Sequence, residues 1–241
     1  MFENFWIAAI AALLLGISKS GIKGISSVIV AGMAFVFGAK ASTGILMPLL
    51  ISADIVAVWY YQKHAQWNYI KKLAPTIVLG ILIGVIYGQQ IEQESFKVVM
   101  ASIVILSAVV MALMDYITSK TVPSHWSFAG IMGLSTGFTT MVGNLAGAFS
   151  NLYFLAMRVP KNVFIGTAAW LFFLTNLFKV PFHVFYWKTI NVNSLSISLQ
   201  LVPFVLIGFF AGIKLVSLIN ERHYRKLILL FTALSGLVIL F

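Results

Sequence analysis

The apolar residues of this chain come in ten contiguous runs, near 5–17, 25–38, 43–61, 73–89, 95–117, 126–140, 145–157, 163–185, 196–218 and 225–241. The runs do not alternate polar with apolar, so each reads as a helix that is apolar on all sides and belongs in lipid or in a very large core. With 61% of its 241 residues hydrophobic and 9% charged, the chain lacks the polar residues to clothe such a core in water. It therefore reads as an all-α polytopic membrane protein, because a helix satisfies every backbone group within its own segment. Barrel strands are excluded, since they alternate lipid-facing and lumen-facing residues over about ten positions.

Two stretches interrupt the pattern. The first reads Gly16-Ile17-Ser18-Lys19-Ser20-Gly21-Ile22-Lys23-Gly24, and the second runs from Gly133-Leu134-Ser135-Thr136-Gly137 to Gly143-Asn144-Leu145-Ala146-Gly147. The runs beside each break hold about 13 to 16 residues, below the ~20 needed to cross ~30 Å of hydrocarbon. They are expected to form half-helices, paired as re-entrant-like hairpins whose tips meet near the midplane. Backbone that leaves the helix at that depth survives only inside protein or against a wet cavity. Paired Gly-interrupted segments in the two halves of a chain point to a transporter's binding site.

An internal repeat divides the chain in the same way. Pro75, Gly80 and Gly84 recur as Pro203, Gly208 and Gly212 at a constant offset of 128 (203 − 75, 208 − 80, 212 − 84), and Phe96-Lys97 recurs as Tyr224-Arg225. Asp54 corresponds to Asn176 at an offset of 122 (176 − 54). The expected units are a first transmembrane repeat over 1–117, a cytoplasmic linker over 118–125 and a second repeat over 126–241, each a broken hairpin plus three spanning helices. Loop charge orients them. Lys63, Lys71 and Lys72 precede a loop with Glu92 and Glu94, whereas in the second half Lys188 alone precedes Arg222, Arg225 and Lys226. By the positive-inside rule the repeats have inverted topology, with Lys120, Arg158 and Lys161 inside and both termini outside. Lys40 falls on the outer side in this arrangement.

The net charge of +10 does not signal nucleic-acid binding, because the basic residues sit at the ends of apolar runs rather than in a polar stripe. No cysteine is present, so thiolate metal sites, disulfides and cysteine nucleophiles are excluded. Met1-Phe2-Glu3-Asn4 carries an acid where a cleavable signal needs a basic segment, so the first run is expected to belong to the mature protein.

Chemistry is expected where polar groups lie at membrane depth. Lys19 and Lys23, with Ser18, Ser20 and Gly21 around them, line a polar cavity or snorkel toward the surface. Asn144 beside Gly143 offers an amide to an anion at a helix N-terminus, or caps its half-helix. Asp54, mid-segment in Pro48-Leu49-Leu50-Ile51-Ser52-Ala53-Asp54, needs a partner or a proton; structural pairing with a lysine and proton coupling are both open, with pairing favoured. Asn151 and Tyr153 face the same cavity or bond a neighbouring helix, and Lys179 joins the site or snorkels. Gly80, Gly84, Gly88, Gly208 and Gly212 read as helix packing faces.

The candidate substrate-binding set is thus Ser18, Lys19, Ser20, Gly21, Lys23, Gly143, Asn144, Asn151 and Lys179, with Asp54 as a coupling or structural acid. No metal or cofactor is expected. Gly133-Leu134-Ser135-Thr136-Gly137 matches a hydrolase nucleophile pattern but lacks the strand-turn-helix setting. His64, His125, His183 and His223 lie near segment ends without ligand spacing, and Ser135 with His183 is the sole pair an intramembrane serine hydrolase can draw on. Two lysines and an asparagine against one mid-membrane acid favour an anion.

The first break, the run Gly44-Ile45-Leu46-Met47-Pro48 through Asp54, and the stretch Gly137-Phe138 through Gly147 together resemble the TauE/SafE sulfite exporter family. Tyr153-Phe154-Leu155, Gly166-Thr167 and Asn176-x2-Lys179-Val180-Pro181 extend the resemblance, in order, over nearly the whole chain. It implies a transporter, not an enzyme, in the lipid bilayer of a bacterial inner membrane, exporting small sulfur anions such as sulfite or organosulfonates through two repeats with re-entrant hairpins. Alternating access is expected; an anion channel with the same pore is the alternative.

Overall fold

The computed structural model describes residues 5–92 and 125–220 together with individual positions within 95–109 and 223–231. Those residues are helical without a strand: α1 Phe5–Lys19, α2 Ser26–Phe37, α3 Ala39–Tyr61, α4 Trp67–Gln90, α5 Trp126–Gly143, α6 Gly147–Ala156, α7 Lys161–Pro181 and α8 Val192–Ser217. The expected segments at 95–117 and 225–241 and the linker 118–125 fall largely outside the described residues. A 3₁₀ turn over Gln62–His64 extends α3 and a π turn over Phe182–Tyr186 extends α7. With these extensions, Ala39–His64, Trp67–Gln90, Lys161–Tyr186 and Val192–Ser217 are each long and apolar enough to cross a bilayer. By contrast α1, α2 and α6 have 15, 12 and 10 residues, and at ~1.5 Å per residue none reaches ~30 Å.

The core forms where α1 packs on α8, α4 on α5, and α3 between α7 and α8. Glycine makes the first two contacts possible. A Cβ on Gly16 would lie 2.0 Å from the Val205 carbonyl oxygen and 2.6 Å from the Phe209 nitrogen, and one on Gly208 would lie 2.0 Å from the Leu13 carbonyl oxygen. The α4–α5 contact has the same form: Gly137 meets Ile77 and Ile81 at 2.1 and 2.9 Å, and Gly80 meets Leu134 at 2.1 Å. Gly137 follows Gly16 and Leu134 follows Leu13 by 121 positions (137 − 16, 134 − 13), while Val205, Phe209 and Gly208 follow Ile77, Ile81 and Gly80 by 128 (205 − 77, 209 − 81, 208 − 80). One small-residue packing solution is therefore used twice, by the first helix of each half against the fourth helix of the other.

These contacts correct the expected extent of the breaks. The helix continues through Gly16 to Lys19, and through Gly133 and Gly137 to Gly143. Those glycines admit a neighbouring backbone or side chain rather than end a helix; a Cβ on Gly133 would fall 2.0 Å from Thr76 Oγ1. The breaks are shorter, Ser20 to Ile25 and Asn144 to Ala146. Gly21 and Gly24 take φ of +134° and +103° in the first, and Asn144 takes +57° in the second, a region that glycine and asparagine enter most readily.

Candidate anion site between the two breaks

At the first break the chain leaves α1 and turns into α2 under two tyrosine hydroxyls. Tyr61 donates to the Ser20 carbonyl and Tyr224 to the Gly21 carbonyl, both at 2.7 Å. These bonds replace helical partners for carbonyls that would otherwise be stranded. Ser20 Oγ donates back to the Ile17 carbonyl at 2.8 Å. Ser20 and Gly21 thus hold the loop and do not line the central cavity.

Lys19, the last residue of α1, is buried and donates to Asp54 Oδ1 of α3 at 2.6 Å. The other carboxylate oxygen accepts from Asn176 Nδ2 of α7 at 2.7 Å. Asp54 and Asn176, the two positions expected to correspond in the repeat, touch. Lys19 does not snorkel: it lies 4.8 Å from the centre of the Phe172 ring, which Lys23 shares at 5.4 Å. Lys23 is 4% exposed and donates to the Ser18 carbonyl at 3.3 Å. Lys23 makes no ion pair with a described residue; Lys19–Asp54 is the sole one among them.

The second break is held differently. Asn144 donates through Nδ2 to the Thr43 carbonyl of α3 at 3.0 Å and accepts on Oδ1 from Lys179 at 2.7 Å. Lys179, fully buried, also donates to the Thr140 carbonyl at 2.7 Å and to Thr140 Oγ1 at 3.0 Å. A cation at the carbonyl end of α5 meets the negative pole of the helix and its unpaired acceptors. Lys179 therefore caps α5 from α7 instead of snorkelling, and both ends of the Asn144 amide have protein partners. Gly143 ends α5 without reaching the cavity.

Between the breaks lies a cavity of about 40 Å³ whose wall includes Ser18, Lys19, Lys23, Gly24, Asn144, Asn151, Phe172 and Asn176. Ser26 and Gly147, the first residues of α2 and α6, complete its polar part. Neither helix has a side-chain cap at its N-terminus, so each presents backbone N–H groups and a positive dipole end, the arrangement that favours anions. One turn into α6, Asn151 is 2% exposed and its Oδ1 is buried without a hydrogen-bond partner.

Of the expected set, the fold brings Ser18, Lys19, Lys23, Asn144 and Asn151 to one cavity and keeps Ser20, Gly21, Gly143 and Lys179 behind its wall. Sequence reasoning missed Phe172, Ser26 and Gly147 as wall residues. Asn176 carried a signal, its correspondence to Asp54, whereas Phe172 carried none among so many aromatics. His183 lies near the end of its segment as expected, fully buried in the π turn, with Nδ1 2.8 Å from Thr189 Oγ1. Ser135 makes no hydrogen bond to it. No group of three His, Cys, Asp or Glu side chains suited to a metal occurs among the described residues.

The family model described as Sulfite exporter TauE/SafE matches residues 8–239. Neither a curated protein nor a solved structure matches the chain.

Proposed function

The chain belongs to the TauE/SafE sulfite exporter family, whose members are membrane transporters, and from that premise we propose that it is a carrier binding a small sulfur oxyanion between its two breaks. The carrying observation is the cavity where the uncapped N-termini of α2 and α6 meet Lys23. Among the described residues three buried lysines, Lys19, Lys23 and Lys179, accompany one buried carboxylate, Asp54. An excess of buried positive charge is costly unless an anion joins it. Lys23 is the group best placed to meet that anion, because Asp54 already balances Lys19 and Lys179 turns to the end of α5.

Alternating access by inverted repeats is the mechanism we favour. The twofold use of one glycine contact, α1 on α8 and α4 on α5, supports a repeat in which equivalent helices face opposite partners. Basic Lys63, Lys71 and Lys72 precede Glu92 in the first half, whereas Lys188 alone precedes Arg222, Arg225 and Lys226 in the second, a reversal that supports opposed orientations. The site then opens to one side or the other as one half rocks against the other. Its small volume fits an inorganic oxyanion better than a bulky organosulfonate. Export from a bacterial cytoplasm across the inner membrane follows the family.

Purified protein in liposomes tests the reading. Labelled sulfite should enter with saturation and with acceleration by unlabelled sulfite on the far side; Lys23→Met should raise KM by about tenfold or more, the factor for one charge-assisted hydrogen bond. Flux linear in concentration with no counterflow describes a channel instead. Unchanged KM in a folded Lys23→Met protein removes Lys23 from the site.

A further inference from the structure

Lys40 and Lys188 run against the charge rule that orients the chain. In the inverted topology proposed above both lie on the outer side, where basic residues are the exception. The fold brings them to one place although 148 positions separate them (188 − 40). Both line a pocket of about 460 Å³ between the start of α3 and the turn that joins α7 to α8. Lys40 is partly buried, with Nζ 5.9 Å from the centre of the Trp187 ring. Lys188 is exposed and takes φ of +52°, a left-handed conformation that side chains of its kind seldom adopt. Neither lysine makes a hydrogen bond or an ion pair with a described residue. Among the described residues no Asp or Glu lines the pocket.

Only a short piece of α3 divides this pocket from the central cavity. Ile45 lines the pocket and Leu46, the next residue, lines the cavity; on α2, Phe37 lines the pocket and Val30 the cavity. Three contacts hold that piece of α3. The Thr43 carbonyl accepts from Asn144 Nδ2 at 3.0 Å, and the Ile45 carbonyl accepts from Ser198 Oγ at 2.8 Å. A Cβ on Gly44 would lie 2.1 Å from the carbonyl oxygen of Thr189, itself a pocket residue. The partition is thus gripped from the second break on one side and from the pocket wall on the other.

The two spaces differ in what they admit. The central cavity, at about 40 Å³, has room for little beyond the bare ion. The pocket, at about 460 Å³, holds an oxyanion together with several waters, each occupying ~30 Å³. An ion that keeps its water is held there by charge rather than by close fit, so it binds weakly and leaves readily.

Resting on the transport reading, we infer that this pocket is a second anion site, an outer vestibule in which Lys40 and Lys188 hold a hydrated small oxyanion such as sulfite between bulk water and the central cavity. Its shared wall with the cavity favours the carried ion over a lipid phosphate, which gains nothing from that wall.

The test measures labelled sulfite uptake in right-side-out and inside-out membrane vesicles. Lys40→Met combined with Lys188→Met should raise KM about tenfold in right-side-out vesicles at low salt, about threefold for each exposed charge. It should leave KM in inside-out vesicles at the wild-type value. In ~1 M salt, where screening acts within ~3 Å, the tenfold effect should fall to about twofold. Lys40→Arg with Lys188→Arg should stay within about twofold of wild type, and Lys63→Met, which removes a charge from the opposite end of α3, should leave the right-side-out KM unchanged. If the double methionine variant does not fold, the exposed Lys188→Met carries the same test at about threefold. Wild-type KM in the right-side-out vesicles, or a shift as large in the inside-out ones, overturns the vestibule and leaves sulfite transport standing. So does a KM ratio between variant and wild type that appears in phosphatidylglycerol liposomes and vanishes in phosphatidylcholine ones, since the occupant is then a lipid headgroup. Absence of saturable sulfite transport in the wild type overturns both.

Discussion

Asp54→Asn is the substitution whose cost the structure defines most closely. The Asp54 carboxylate is fully buried and accepts from Lys19 at 2.6 Å and from Asn176 at 2.7 Å. Replacing it with an amide removes the charge opposite Lys19 and turns an N–H toward one of the two donors. Breaking a buried ion pair from one side costs about 3–5 kcal/mol, since the surviving ion stays in the interior uncompensated. Lys19→Met should cost a similar ~3–5 kcal/mol, this time stranding the carboxylate on Asn176 alone. The double variant leaves no unpaired charge, and a buried pair exchanged for uncharged groups of like volume is often nearly neutral. It should be no less stable than the milder single variant, which makes the coupling energy at least about 3 kcal/mol. Equilibrium unfolding in mixed micelles, followed by tryptophan fluorescence, measures all four proteins. Single effects that add to within ~0.5 kcal/mol would refute the reasoning, because residues that do not interact behave that way. Large coupling, with surviving transport of the double variant still responsive to a pH gradient, also assigns Asp54 a structural role rather than that of proton carrier.

Gly16→Ala and Gly137→Ala should each destabilise by more than the ~1–3 kcal/mol typical of overpacking, since the new Cβ meets backbone at 2.0 and 2.1 Å, while Gly32→Ala, with 3.8 Å to Ala11, should be nearly silent in the same unfolding assay. Lys179→Met should cost about 2–3 kcal/mol by stripping Thr140 and Asn144 of a charged donor, yet it should shift the sulfite KM far less than Lys23→Met, because Lys179 lies outside the cavity wall. Single cysteines placed by Gln66→Cys and His223→Cys should react with an impermeant thiol reagent from the same face of the membrane, and one placed by Glu92→Cys from the opposite face; labelling of Gln66→Cys and His223→Cys from opposite sides overturns the inverted topology.

Contiguous apolar runs determined the eight described helices to within a few residues, because membrane-length helices are written in local composition and need no partner to be recognised. The same logic found both breaks, since lysines and asparagine amid apolar residues have few places to go. It did not separate glycines that end a helix from glycines that admit another backbone. Gly16 and Gly137 look like Gly21 and Gly24 in sequence, and only the arrival of α8 and α4 distinguishes them. Tertiary structure also decided what each polar side chain does. Lys19, Lys23 and Lys179 are the same residue type and all buried, yet one meets Asp54, one faces the cavity and one caps α5. Those roles depend on which acceptor lies within hydrogen-bond reach, which for Lys19 and Lys179 is a property of helices brought together from 35 or more positions away in the chain. Local sequence sets where a charge is buried; packing alone sets what neutralises it.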